Sequence, residues 1–185
     1  MQVFKFGGAS VRDAESIKNV ASILVNYQST ELLVVVSALG KTTDRLMEVT
    51  QSYVRHADDT HLLLDKVKAD HYHILDGLFA SQQHPIYNEV ANAFVEIEWI
   101  LEEEAQDSYD YLFDQIVSLG EMLSSRILAA YTAELGMPTK WLDARDYIFT
   151  DNTYREARVD WAKTEDKIRR DLPILLDRHV LITQG

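Results

Sequence analysis

The 185-residue sequence contains no cysteine, which removes disulfides, thiolate nucleophiles and cysteine-ligated zinc from consideration at once. Proline and glycine are scarce, at 3 and 7 residues, and no linker, repeat or low-complexity tract interrupts the chain. A single domain is therefore expected, and 46% hydrophobic residues are enough to give it a core. Positive charge is also in short supply, with 18 Lys+Arg against 30 Asp+Glu and a formal net charge of −12. A nucleic-acid surface needs clustered cations to neutralise phosphates. The one basic cluster, Lys167, Arg169 and Arg170, sits between acids and reads as a solvated helix face. No apolar run approaches the roughly 20 residues that cross a bilayer, and Met1 leads into an alternating apolar segment rather than a signal peptide. The expectation is no nucleic-acid partner, no membrane and a cytoplasmic location.

What is present is a regular alternation of strand and helix patterns. Val3 to Phe6 is β-prone and stops at Gly7-Gly8, and from Ser10 the apolar residues Val11, Ile17, Val20, Ile23 and Leu24 follow helical spacing. Leu32 to Val36 is an unbroken aliphatic run, as expected of a strand covered on both faces in a parallel sheet. From about Leu46 to Leu135 the pattern is helical with breaks, mainly around His84-Pro85, which predicts an excursion of several helices. Gly136 reads as a helix C-cap, Pro138 opens a strand through Leu142, and Val180 to Thr183 makes a fourth. Strands alternating with helices imply an α/β layered fold with a mostly parallel sheet.

Four local patterns carry chemistry. Lys5-Phe6-Gly7-Gly8-Ala9-Ser10 sets a lysine near a strand end, two residues that let backbone N–H groups approach a ligand, and a helix start. That arrangement suits an anion, although an ordinary strand-to-helix turn has the same ingredients. The loop Ser37 to Thr43 contains Gly40-Lys41-Thr42 but is no Walker A motif, because position 35 is Val where a glycine is required. It is a hydroxyl-rich loop able to hold a small polar ligand or to cap the next helix. Glu121 lies beside Gly120 on a helix face with Val117, Ser124 and Leu128, so its carboxylate should be partly covered and need a cation. That cation is either a ligand's ammonium or a lysine or arginine of the chain itself. Arg158 and Asp160 stand in a polar stretch after the third strand, the arginine suited to a carboxylate; a salt-bridged surface loop reads the same. His71 and His73 fall on different helix faces, and the other histidines lack ligand spacing, so no metal site is expected.

Taken in order, these segments resemble the aspartate kinases of the amino-acid kinase family. K-F-G-G-T-S is matched at Lys5 to Ser10 with Ala9 in place of threonine. The V-V-S-A…T-T-D-x-L loop is matched at Val35 to Leu46, G-E at Gly120-Glu121 and I-T-Q-G at Ile182 to Gly185. The resemblance implies an amino-acid kinase (carbamate kinase-like) fold, and phosphorylation of the side-chain carboxylate of L-aspartate by ATP with Mg2+. It also implies roles: Lys5, Gly7, Gly8 and Ser10 for phosphate, Ser37, Thr43 and Glu121 for aspartate, Arg158 for a carboxylate, and Asp160 near the phosphates or orienting Lys5. Family members differ in where the arginine lies, and Glu156 occupies one alternative position. The family continues after I-T-Q-G with a Gly-rich R-G-G-S-D-type segment that contacts nucleotide, and usually with regulatory ACT domains. Residues 1–185 are accordingly expected to be the N-terminal portion of a catalytic domain, weakly active or inactive alone, and homo-oligomeric at full length.

Three other readings compete. A kinase for glutamate, N-acetylglutamate, carbamate or a nucleotide would share the Lys5 loop, but Glu121 with Ser37 and Thr43 suits a free amino acid. A non-catalytic ligand-binding domain of the same fold is motivated by Ala9. A helical interaction module over Leu46 to Leu135 ranks below both, because its acidic faces look like ordinary solvated surface.

Overall fold

A computed structural model describes residues 1–27, 31–103 and 107–185. Four strands, β1 (Gln2–Phe6), β2 (Leu32–Val36), β3 (Thr139–Leu142) and β4 (Val180–Gln184), form one sheet in the order β1-β2-β4-β3, with every pairing parallel. Six α-helices accompany them: α1 (Ala14–Val25), α2 (Thr42–Val54), α3 (Thr60–Leu78), α4 (Pro85–Glu102), α5 (Tyr109–Glu134) and α6 (Trp161–Leu176).

The two-residue period of the strands divides the core. Leu32, Val34 and Val36 of β2 and Val180 and Ile182 of β4 point into the larger cluster, packed by α1 to α5, whereas Leu181 joins Leu142 with Leu172 and Leu176 of α6 on the other face. Alternate residues of one strand thus serve different layers. Each fully buried Leu or Ile contributes about 1.5–3 kcal/mol through removal of apolar surface from water.

The helical excursion resolves into α2 to α5, and its ends follow from capping chemistry. Ser108 accepts the Tyr111 N–H at the start of α5. At its end Gly136, with φ 83°, supplies the left-handed residue that turns the chain into β3. Two boundaries differ from the sequence expectation. A 3-10 turn over Gly8–Val11 intervenes before α1, which starts only after Asp13 because its carboxylate accepts the Ser16 N–H at 2.8 Å. β3 begins at Thr139 rather than Pro138, which lacks an N–H, though the Pro138 carbonyl accepts from Val180 N–H at 2.8 Å.

Candidate active site

Because all four strands run the same way, their carboxyl ends deliver Gly7-Gly8, Ser37, Asp143 and Gly185 to one edge of the sheet. Ligands of open α/β sheets bind at such edges. Two bonds continue the ladder past the strands. Ser37 N–H donates to the Phe6 carbonyl at 3.0 Å, and Gly185 N–H donates to the Val36 carbonyl at 3.1 Å.

The glycine loop after β1 lies directly on the loop after β2. Gly40 N–H donates to the Gly8 carbonyl at 3.1 Å, and a Cβ at Gly8 would stand 2.8 Å from the Ala38 carbonyl oxygen and 2.9 Å from that of Gly40. Only glycine fits there. Above Gly7 the space is open, with no atom within 4 Å of a Cβ position. Among the described residues the Gly7 N–H donates to no backbone acceptor, while Ser10 N–H closes the turn onto the Gly7 carbonyl at 2.8 Å. Lys5, Ser10 and Thr43 are exposed, and Thr42 is the buried hydroxyl of the loop.

α5 brings the acid. A Cβ at Gly120 would lie 3.0 Å from Cγ2 of Thr42 and 3.4 Å from Cβ of Ala38, so its absence lets α5 close on the β2 loop. The Ser124 hydroxyl, shared between the carbonyls of Ser37 (2.8 Å) and Glu121 (2.9 Å), fixes that approach. Glu121 is half-buried and forms no ion pair among the described residues. Burial pushes its carboxyl up from the ordinary range, and the positive charge of Lys5 opposes that shift. The carboxylate lines a cavity of about 450 Å³ together with Ser118, Met122, Arg145, Phe149 and Gly185.

Arg158 and Asp160 are not on this cavity. Arg158 is exposed, and its backbone brackets Asp151: its N–H donates to Asp151 Oδ1 and its carbonyl accepts the Asp151 N–H, both at 3.1 Å. Asp160 caps α6. Its Oδ1 accepts the Lys163 N–H at 3.1 Å and its Oδ2 pairs with the Lys163 ammonium at 3.2 Å, bonds that hold its carboxyl below the usual range.

A polar cluster absent from the sequence reading occupies the ends of β3 and β4. Asp143 accepts from Arg145 Nε at 3.0 Å and Nη2 at 2.6 Å, and from Gln184 Nε2 at 2.7 Å. Burial works to raise the Asp143 pKa, but the hydrogen bonds from Arg145 and Gln184 outweigh it and hold the carboxyl below its usual range. The local signal was an Asp-x-Arg triplet immediately after a strand. Its partner Gln184 lies 41 positions away.

The model of the amino acid kinase family matches residues 1–185. The chain belongs to that family. Within it, the chain is 31% identical over 160 residues to the aspartokinase of Chlamydia trachomatis, covering 86% of this chain and 34% of that protein. It is 29% identical over 174 residues to the chloroplastic bifunctional aspartokinase/homoserine dehydrogenase 2 of Arabidopsis thaliana, covering 90% and 19%. It superposes with a TM-score of 0.87 and 26% identity on E. coli aspartokinase III in complex with aspartate and ADP, over 99% of this chain and 40% of that one. The α/β fold of parallel strands and flanking helices is thus the amino acid kinase fold in its aspartokinase-like form. The chain spans between about a fifth and two fifths of the length of these relatives.

Proposed function

We propose that this chain carries the amino-acid site and the phosphoryl-facing loop of an aspartate kinase, which transfers the γ-phosphoryl group of ATP, supplied with Mg2+, to the side-chain carboxylate of L-aspartate. The observation that carries the reading is Glu121. It is a half-buried carboxylate with no ion pair among the described residues, on the wall of a cavity at the strand ends and within the field of Lys5. Such a group suits a ligand's ammonium. That relatives of this fold were solved with aspartate and ADP supports the choice of ligand.

In this reading Glu121 holds the ammonium, Ser37 and Thr43 offer polar contacts, and the side-chain carboxylate faces Lys5. A carboxylate oxygen attacks the γ-phosphorus, the bond to the leaving oxygen of ADP breaks, and an acyl phosphate forms. Little covalent work falls to the protein, and the task is to hold two anions in line and offset their repulsion. Lys5 supplies charge, and the N–H groups of Gly7 and Gly8, with Ser10, supply donors to the transferring phosphoryl group. The open space above Gly7 fits such a group. The nucleotide brings the Mg2+, whose ligands we assign to phosphate and water rather than to this chain. Arg158 and Asp160, off the cavity, serve at most from the loop that borders it. Turnover by these residues alone is expected to be weak, with homo-oligomerisation and a soluble cytoplasmic setting part of the same reading.

The test is Mg-ATP-dependent acyl phosphate formation on L-aspartate, trapped as the hydroxamate in the chain extended through its reading frame, with direct aspartate binding to the 185-residue chain. Lys5→Ala should abolish turnover while leaving binding, and Glu121→Ala should raise the aspartate requirement at least tenfold. Turnover of glutamate instead would move the assignment to another amino-acid kinase. Aspartate binding without turnover in the extended chain would make this a ligand-binding domain.

A further inference from the structure

The polar stretch between β3 and α6 is held by bonds of unequal strength. Its base is backbone. Asp160 N–H donates to the Phe149 carbonyl at 2.8 Å, Asp151 N–H donates to the Arg158 carbonyl at 3.1 Å, and Thr150 bridges Val159 antiparallel. Phe149 N–H donates in turn to the buried hydroxyl of Thr164 in α6 at 3.0 Å. From Thr150 to Arg158 every residue is exposed, so no buried apolar side chain pins the segment beyond that base. Sparse burial marks the segments of a fold that open locally at low free-energy cost.

The tip rests on the first two turns of α5. Arg155 N–H donates to Asp114 Oδ2 at 2.8 Å, the Arg155 guanidinium pairs with Asp110 at 3.5 Å and lies over the Phe113 ring at 4.2 Å, and Tyr154 meets Tyr111 edge to face at 5.1 Å. Both members of the ion pair are about half exposed, and a pair in that setting holds weakly and is screened by salt. Arg155 also adopts φ 63°, a left-handed conformation that costs a non-glycine residue and that release of the tip would relax. Beneath the segment lies a cavity of about 470 Å³, walled on its other sides by Glu96 and Ile100 of α4 and Gln115 of α5. It adjoins the cavity that carries Glu121, since Ser118, Arg145 and Thr150 line both.

We propose that residues 150–158 are a strap that swings off α5 about its backbone-paired base, with Arg155 as the clasp, and that its opening sets how fast a ligand exchanges with the two cavities. The strap is a property of the free protein, whereas the identity of the exchanging ligand rests on the aspartate reading above. A gate is distinct from a binding group. When the ligand binds the closed and open forms alike, loosening the clasp raises the on-rate and the off-rate together and leaves the affinity where it was.

The experiment is residue-resolved amide hydrogen exchange on the ligand-free 185-residue chain, comparing wild type with Asp110→Asn. This variant removes the charge pair but leaves the Asp114 acceptor of the Arg155 amide and every bond of the base. The Arg155 amide should exchange about threefold faster in Asp110→Asn, the factor expected for loss of an exposed ion pair. Wild type in about 0.5 M NaCl should show the same acceleration without any substitution. The amides of Asp151 and Asp160 should keep their rates, and trypsin cleavage after Arg155 should quicken in step with the Arg155 amide. Circular dichroism verifies that the variant is folded. An Arg155 amide unmoved by both the variant and salt overturns the clasp, and base amides that accelerate equally overturn the hinge. Stopped-flow mixing with L-aspartate should then give both rate constants raised about threefold in Asp110→Asn at an unchanged Kd. A Kd weakened by that factor at a constant on-rate overturns the gate. Failure of wild type to bind aspartate removes the aspartate reading, and the exchange result alone then decides the strap.

Discussion

The hydroxyl of Ser124 donates to the backbone carbonyl of Ser37 at 2.8 Å, joining the middle of α5 to the end of β2 across 87 positions of chain. This bond sets the acid-bearing helix against the loop proposed to contact substrate. Ser124→Ala leaves the Ser37 carbonyl without that donor and should cost about 1 kcal/mol in urea unfolding, together with a raised KM for aspartate. Ser125→Ala provides the control. It removes a buried hydroxyl that donates to the Met122 carbonyl and accepts the Trp141 indole N–H, with no bond to the β2 loop, so stability should drop similarly with the KM unmoved.

Gly8 is closed to any side chain by backbone rather than by adaptable side chains. Gly8→Ala forces a methyl against the carbonyl oxygens of Ala38 and Gly40, and the two loops must separate. Overpacking of this kind costs about 1–3 kcal/mol. Thermal unfolding should record a lower Tm, and activity should fall further than the stability loss alone would bring. Gly7→Ala, which meets open space, should leave the Tm nearly unchanged.

Glu121 gives opposite signs for stability and binding. Its pKa is raised on folding by burial, against the pull of Lys5, so the folded state holds its proton more tightly than the unfolded state does. Ionising it therefore erodes stability as pH rises through and above the ordinary carboxylate range. Glu121→Gln should show a higher Tm than wild type at about pH 8, the gap narrowing as the pH falls through the ordinary carboxylate range and Glu121 takes up its proton. The same variant should bind aspartate less well. A lower Tm for Glu121→Gln at neutral pH would mean that the carboxylate has a stabilising partner in the free protein.

His71 places a second titration in the core of the helical layer. It is buried, its Nδ1 bonds the Val67 carbonyl at 2.7 Å, and its Nε2 has no partner among the described residues. Burial pushes its pKa down to about 4 from 6.5, with Arg45 adding to the shift and the Val67 bond opposing it. A histidine depressed on folding is neutral in the folded state while the unfolded chain takes up a proton. Stability is thus intact above about pH 6.5 and is lost as pH falls toward 4, by roughly 3 kcal/mol at most. His71→Leu, which needs no proton and no partner for Nε2, should flatten that part of the stability profile in denaturant titrations run from pH 7 down to 4.

How much of this was legible in the sequence depends on the range over which each feature is encoded. The four strands were visible because the β-prone segments before Gly7, Ser37 and Gly185, and the one that Pro138 opens, are local, and the half-buried state of Glu121 followed from its neighbours one and two turns away along α5. The start of α1 was misplaced because helical spacing of apolar residues extends to Val11, whereas the side chain that begins the helix is Asp13. The Asp143 cluster was invisible for a different reason. It requires β4 to sit between β2 and β3, and nothing near Asp143 or Gln184 in the chain states that order. Likewise, the polar stretch around Arg158 had the right composition for a site, but the bridge between Thr150 and Val159, which folds it back on itself, was not legible in that composition.

α5 is a single uninterrupted helix of 26 residues, about 39 Å long at the rise of an α-helix. Near its start Asp114 accepts the N–H of Arg155, a residue held at φ 63°, and Asp110 pairs with the same arginine at 3.5 Å. Its middle carries Gly120, Glu121 and Ser124, and its end feeds β3 through Gly136. One inserted residue between Asp114 and Glu121 would turn everything on one side of the insertion by about 100° relative to the other, so the loop latch and the acid could no longer both be seated. Length variation among related chains should therefore accumulate in the connections on either side of this helix, leaving the spacing between Asp114 and Glu121 as a fixed ruler.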